Sequence, residues 1–245
     1  MLKNITLKIL DIFDFFYQKK IINFLHEKGF VRFKVFFDIG GHKGESIDLF
    51  SKNFQIDTIY SFEASPITFK ILLNKKSYFV NKYENLKLIL ENYAVGASAN
   101  RVSLKHLEES SSSTIRNFNK DSTYLKKKLF FLQNSKNKPF YEEIEVEQIK
   151  LSDYVKNNNI IVIDFLKIDT EGYEFDVLTG AEDVLSKVKI IFFEHHYDDM
   201  IKKNYTFSNI NDFLKKNNFI QIFKSKMPFR KTLEYIYINK HIGYD

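Results

Sequence analysis

Cysteine and tryptophan are both absent from the 245 residues. Without cysteine there can be no disulfide framework, no thiolate zinc site and no cysteine nucleophile, and the composition suits a reducing compartment. Long apolar runs are missing as well. No stretch reaches the ~18–20 uninterrupted apolar residues that span a bilayer. The N-terminal MLKNITLKILDIFDFFYQ is broken by Lys8, Asp11 and Asp14 and offers no small-residue cleavage site, so it does not read as a signal peptide. The chain is therefore expected in the cytoplasm. Two nucleotide signatures are also lacking. The loop at Gly40 has His42 and Glu45 where G-x-G-x-x-G needs glycine, and no phosphate loop ends in Gly-Lys-Ser/Thr.

What is present suits one large α/β domain with a continuous core. Hydrophobic residues make up 44% and charged residues 28%. With 26 phenylalanines, Phe is expected to do most of the aromatic packing. The formal charge of +6 permits an anionic partner without identifying one. The lysines are scattered through Lys/Asn-rich stretches instead of forming a strip, and no N-P-P-Y-type motif is present to grip a flipped base, so no nucleic-acid partner is expected.

The chain is organised around KVFFDIGGHKGESIDLF, residues 34–50. An apolar run closes on Asp38, Gly40, Gly41 and Gly44 form a tight loop, and Ile47, Phe50 and Phe54 follow at helical spacing. Strand, glycine loop, helix opens a nucleotide-binding α/β domain, with the helix start offering N–H groups to an anionic ligand group. A second strand, residues 58–62, ends in Glu63, placed to accept both hydroxyls of a ribose. A ribose without a pyrophosphate requirement suits S-adenosylmethionine (SAM).

Before this core, Ile5, Ile9, Ile12, Phe13, Phe16, Ile21, Ile22 and Leu25 describe one or two amphipathic helices, so residues 1–30 read as an N-terminal helical appendage to a domain over 31–245. Packing on the sheet is the expected role, with peripheral membrane contact as the alternative. After Pro66 comes a helix fading near Tyr78, a third strand at 86–90, and a short extra strand at 101–105. Residues 108–140 shift to Ser- and Lys-rich composition and read as an insertion or mobile loop, with Phe130, Phe131 and Leu132 expected to fold part of it back. An exposed strand at 143–149, strands at 163–168 and 188–193, a helix at 210–214 and a closing pair at 219–223 and 233–238 complete about seven main strands, the last antiparallel.

Ligands of an open parallel sheet bind beyond the strands' carboxyl ends. Here those ends carry Asp38, Glu63, Asn92, Asp169 with Glu171, and Glu194 with His195 and His196. A sheet with a purely structural role need not end this way.

FFDIGGHKGES, YSFEASP, ENYAVG, the serine run and above all DFLKIDTEGYEFDVLTGAEDVL with IIFFEHH together resemble the FkbM-type family of SAM-dependent methyltransferases, over residues 35–196. The resemblance implies a Rossmann-like class I methyltransferase fold: a seven-stranded, mostly parallel sheet with the last strand antiparallel and helices on both faces. It also implies O-methylation, often of sugars or glycosylated products. The chain departs from the pattern at His42, usually Asn, and at Gly41, often Ala. Cofactor contacts are expected at Asp38, Gly40, Gly41, Lys43, Gly44, Glu63, Asn92 and Ala94.

Methyl transfer needs an acceptor oxygen held in line and relieved of its proton. Asp169, Glu171 and His195 are the expected catalytic residues. Only one of two adjacent histidines on a strand can face the cleft, and His195 is the one assigned here. Asp169 and Glu194 end strands that the resemblance makes neighbours, so a proton shared with His195, or Mg²⁺ held by these two carboxylates, must relieve their repulsion. The leading reading is a SAM-dependent O-methyltransferase acting on a saccharide or glycoconjugate. The alternatives are a nucleic-acid methyltransferase and a non-catalytic SAM-binding module.

Overall fold

The computed structural model describes residues 18–107, 112–132, 139–227 and 231–241. Seven strands form the main sheet: β1 (Arg32–Ile39), β2 (Gln55–Phe62), β3 (Lys87–Glu91), β7 (Ile163–Ile168), β8 (Val188–His196), β9 (Phe219–Lys226) and β10 (Thr232–Asn239). Their spatial order is β3-β2-β1-β7-β8-β10-β9. The five from β3 to β8 run parallel, while β10 is antiparallel to both β8 and β9. This is the expected Rossmann-like sheet with an antiparallel final strand.

Because successive strand residues face opposite sides, each strand feeds two cores. Phe37, Leu166, Ile191, Phe193, Tyr235 and Tyr237 face one layer. It holds α6 (Leu151–Asn157), α7 (Glu174–Gly180) and α8 (Phe207–Lys216) through Leu151, Val155, Val177, Leu178, Ile210 and Leu214. Phe36, Phe165, Ile190, Phe192 and Ile236 face the other. There α2 (Glu45–Asn53), α3 (Pro66–Asn74) and α4 (Lys76–Lys82) contribute Ile47, Phe50, Leu72 and Phe79. The expected weight of phenylalanine is visible here. Phe36 stacks on Phe165 at 5.0 Å and Phe50 lies 4.9 Å from Phe36. Each fully buried Phe stabilises by about 1.5–3 kcal/mol.

A helix over residues 18–27 (α1) adds Ile21, Ile22 and Leu25 to this second core. The contacts expected of Ile5, Ile9, Ile12, Phe13 and Phe16 lie outside the described residues. Ser65 caps α3, accepting from Thr68 N–H at 3.3 Å, with Pro66 in the first turn. The single helix expected to fade near Tyr78 is in fact two, broken at Lys75.

The two extra strands expected at 101–105 and 143–149 are partners. β5 (Asn100–Leu107) and β6 (Tyr141–Lys150) pair antiparallel, and β4 (Ala94–Gly96) joins β6 to make a second, three-stranded sheet. α7 presses on this sheet so closely that a Cβ on Gly180 would lie 2.0 Å from the Gly96 carbonyl oxygen, which explains the glycine of the L-x-G-A motif as a packing requirement. Of residues 108–140, those described are tied to the body. Thr114 bridges to Lys105 and Phe118 to Ile201, and Leu107, Phe118, Leu125, Met200 and Ile201 form a small apolar cluster near α5 (Thr123–Leu132). Phe130, an expected anchor, is 82% exposed; Phe118 and Leu125 serve instead.

The turn after β1 passes close to the tip of β7. Asp169 N–H donates to Ile39 at 2.9 Å, and a Cβ on Gly40, at φ +87°, would stand 1.9 Å from the Asp169 carbonyl oxygen. Gly29 has a similar φ of +85° but nothing within 4 Å. Gly29→Ala should therefore cost only the left-handed backbone penalty, about 1–2 kcal/mol. Gly40→Ala should cost at least about 2 kcal/mol more through overpacking. Thermal unfolding checks this, and equal shifts would show that the loop can move aside.

Candidate active site

The glycine loop binds back on its own strand tips. Gly40 and Gly41 N–H both donate to the Phe62 carbonyl, at 2.9 and 2.8 Å, and Gly44 N–H donates to Gly41. At the start of α2, expected to hold an anionic ligand group, Glu45 turns back toward the loop. That carboxylate accepts Lys43 N–H at 3.0 Å and lies 3.2 Å from the His42 ring. Burial acts to raise its pKa, but His42 and the backbone amides outweigh burial and hold it at about 2. A glutamate in the first turn can fold onto the positive helix end that a ligand would otherwise use.

Glu63 sits where the sequence places it, at the tip of β2. Its oxygens accept His42 N–H at 2.9 Å and Ser65 N–H at 2.8 Å. A carboxylate has about four acceptor positions, so two remain. Asn92 uses its amide to brace the adjoining turn, donating to the Glu63 and Ala64 carbonyls at 2.7 and 3.2 Å. Ala94 lies buried in β4, and the Lys43 carbonyl accepts Lys75 Nζ at 2.8 Å.

Toward their ends at this rim, the middle strands replace apolar side chains with charged ones on the same face. Phe36 is followed by Asp38, Phe165 by Lys167 and Asp169, and Phe192 by Glu194 and His196. On antiparallel β10, Glu234 lies directly opposite Glu194. Lys167 Nζ stands 3.2 Å from Asp38 Oδ1 and 3.4 Å from Asp169 Oδ2, and Ser61 donates to the other Asp38 oxygen at 3.2 Å. Burial would discharge Lys167, but Asp38, Asp169 and Glu194 keep its pKa raised. Burial also raises Asp38, opposed by Lys167. Glu194 is pushed up to about 8, by burial and then by Asp169. Glu234 is raised by burial and then by Glu194, the carboxyl opposite it. Burial and mutual repulsion thus favour one retained carboxyl proton in this pair.

The Mg²⁺ site expected at Asp169 and Glu194 finds no support. Among the described residues, no cluster of three or more His, Asp or Glu side chains is arranged to hold a metal ion. The repulsion that Mg²⁺ was expected to relieve is met by the Lys167 ammonium and by protonation, and a fixed cation among these oxygens makes the donor set a poor fit to a second one.

Beyond this cluster, the histidine that meets the carboxylates is His196, not His195. His196 Nε2 lies 3.3 Å from Glu171 Oε2, and Nδ1 lies 3.6 Å from Asp198 Oδ2 and 3.1 Å from Thr232 Oγ1. Burial disfavours its charged form, yet Glu171, Asp198 and Glu194 outweigh burial and raise its pKa to about 10. His195 faces the opposite way, into Tyr197, Tyr205 and Phe207 at ring distances of 4.8, 5.9 and 5.8 Å. Burial, with Lys203 and His196 nearby, lowers its pKa to about 3, so it is neutral. Glu171 adopts φ +50°, its carbonyl held by Thr114 Oγ1 at 2.7 Å, and burial raises its pKa. Arg116 secures the same corner, pairing with Asp176 and lying 4.9 Å over the Tyr173 ring. Five buried polar atoms here have no hydrogen-bond partner: Thr170 Oγ1, Glu171 Oε2, His196 Nε2, Asp198 Oδ2 and Glu234 Oε2. Glu171 and His196 are close enough to attract but misaligned for a hydrogen bond.

A family model described as the methyltransferase FkbM domain matches residues 38–220, well over half of the chain. The chain belongs to the FkbM methyltransferase family. No curated protein matches it at a significant level. Among solved structures it is similar to an FkbM methyltransferase from Methylobacillus flagellatus, at 14% identity and a TM-score of 0.49 over 84% of this chain and 44% of that one. The chain thus spans less than half of that protein. It is also similar to magnesium protoporphyrin IX methyltransferase from Synechocystis, solved with bound SAM, at 10% identity and a TM-score of 0.52 over 94% of this chain and 81% of that one. At such identities the likeness supports the fold alone. Lys167, and Glu234 beyond the matched residues, were not singled out from the sequence, and of the two histidines weighed there His195 was chosen over His196.

The glutamate pair makes stability depend on pH. Glu194 keeps its proton in the folded chain up to about pH 8, whereas the unfolded chain loses it near the ordinary value of 4.5. Between those limits the folded state binds more protons, so stability falls as pH rises and levels off above the window. Glu194→Gln removes that titration. Relative to the parent chain it should gain stability with rising pH, by at most about 1.4 kcal/mol per pH unit. Denaturant titrations from pH 5 to 9 test this, and parallel profiles would refute the retained proton.

Proposed function

We propose that this chain is a SAM-dependent O-methyltransferase that methylates a hydroxyl of a saccharide or glycoconjugate. The observation that carries the reading is the buried polar rim at the tips of β7, β8 and β10, where Thr170 Oγ1, Glu171 Oε2, His196 Nε2, Asp198 Oδ2 and Glu234 Oε2 make no hydrogen bond, although ion pairs of His196 take in three of them. Buried polar groups are normally paired, so this set calls for a ligand rich in both donors and acceptors. Several vicinal hydroxyls answer that need better than an apolar or purely cationic acceptor. Family membership supplies the reaction class.

Glu63 fits the cofactor ribose, since its two open acceptor positions match two hydroxyls. Asp38, Gly40, Gly41, Lys43 and Gly44 would line the path from there to the acceptor, with Asn92 and Ala94 bordering the base. Bound SAM supplies an electrophilic methyl group. Asp169 and Glu171 would orient the acceptor hydroxyl, and Glu171 would take its proton. His196, charged at neutral pH, stabilises the Glu171 carboxylate beforehand. His195 has no part in this scheme, being enclosed by aromatic rings.

Isothermal titration should show saturable binding of SAM and none of NAD. Glu63→Gln keeps one acceptor for the loop but removes the charge, and should weaken SAM binding by roughly 10–150-fold, the worth of a charged hydrogen bond at about 1.5–3 kcal/mol. Unchanged affinity would remove Glu63 from the ribose site. A panel of free, nucleotide-linked and lipid-linked saccharides with methyl-labelled SAM then tests the acceptor class. Labelling confined to RNA would overturn it.

A further inference from the structure

Half of the exposed large hydrophobic residues among the described ones fall in one short stretch. Ile67, Ile71 and Leu73 of α3 and Tyr78 and Val80 of α4 are 40–55% exposed. Monomeric proteins seldom gather apolar side chains this way without a partner. The charge within these two helices is of one sign. No acidic residue occurs between Glu63 and Glu84, while Lys70, Lys75, Lys76 and Lys82 do. Lys82 is matched by Asp48 at 2.6 Å, and Lys75 reaches only a carbonyl, so among the described residues three ammonium groups on these helices have no carboxylate partner.

We propose that α3 and α4 form a docking face for an anionic lipid surface. Apolar side chains flanked by lysines on short helices enter the boundary between headgroups and acyl chains, and each lysine near an anionic leaflet adds about 1 kcal/mol. The helices also support the glycine loop. A Cβ on Gly44 would lie 2.6 Å from Phe79 and 3.1 Å from Leu72, and Lys75 holds the Lys43 carbonyl. Docking through this face would bring the glycine loop to the interface, where a lipid-linked acceptor could be met. That last consequence rests on the function proposed above; the lipid contact does not.

The test is co-sedimentation of the full chain with phosphatidylcholine vesicles, with and without phosphatidylglycerol. Binding is expected only to the anionic vesicles and should fall with added salt. Lys70→Gln with Lys76→Gln should weaken it about 30-fold, the equivalent of two lysines at about 1 kcal/mol each. Ile67→Ser with Ile71→Ser should weaken it as well. All four positions are exposed, so circular dichroism and SAM affinity should stay unchanged. Three results would overturn the proposal. One is no binding of the parent chain, and another is binding that the variants leave intact. The third is a parent dimer, indifferent to vesicles, that the isoleucine variants make monomeric, which would assign the face to a second copy.

Discussion

The ammonium of Lys167 is the contact on which the rest of the site depends. It lies between Asp38 at the tip of β1 and Asp169 beyond β7, with Glu194 of β8 contributing to its charge balance. Three adjacent strands bring carboxylates to one buried rim, and burying unpaired charge is among the costliest things a fold can do. One fixed cation offsets part of that cost, and a retained carboxyl proton in the pair of Glu194 and Glu234 offsets more. The carboxylates of β1, β7 and β8 are thus parts of a single electrostatic unit. A change in protonation on one strand is felt on the others without movement of the backbone.

Much of this was legible in the residues. The strand, glycine loop and helix at 34–50 and Glu63 at the next strand tip all stand where the pattern puts them, and the polar strand ends do converge. The order of the sheet came from family resemblance, because register across a parallel sheet leaves little trace in one sequence. The misses have particular causes. Glu194 and His195 cannot both face the cleft, because neighbouring strand residues point apart, so placing Glu194 inward already selects His196. Glu234 escaped because attention to carboxyl ends fails for an antiparallel strand, whose beginning lies at the same rim.

Other misses arise from tertiary contacts. Glu45 turns back toward the loop at the start of α2, and nothing in its position distinguishes a side chain that folds back from one that points to water. Phe130 is apolar enough to anchor its segment, yet Phe118 and Leu125 face the pocket made by Met200 and Ile201. The reason for the glycine of L-x-G-A emerges only when α7 is seen against β4. Each of these depends on a surface supplied by another part of the chain, which local pattern does not reveal.

The order β8-β10-β9 bears on the chain's assembly in time. β1 pairs with β7 across more than a hundred residues, and β10 enters between two strands synthesised before it. Pairings of such separation close late, after the entropy of a long loop has been overcome. A nascent chain emerging from the ribosome could build β1 to β3 and their helices early. It would still lack Glu234, and with it the partner of Glu194, until the final strand had slotted in. The glycine loop and Glu63 can therefore take shape before the carboxylate rim does, and a chain that lacks or misthreads its last strand leaves Glu194 without the carboxyl opposite it.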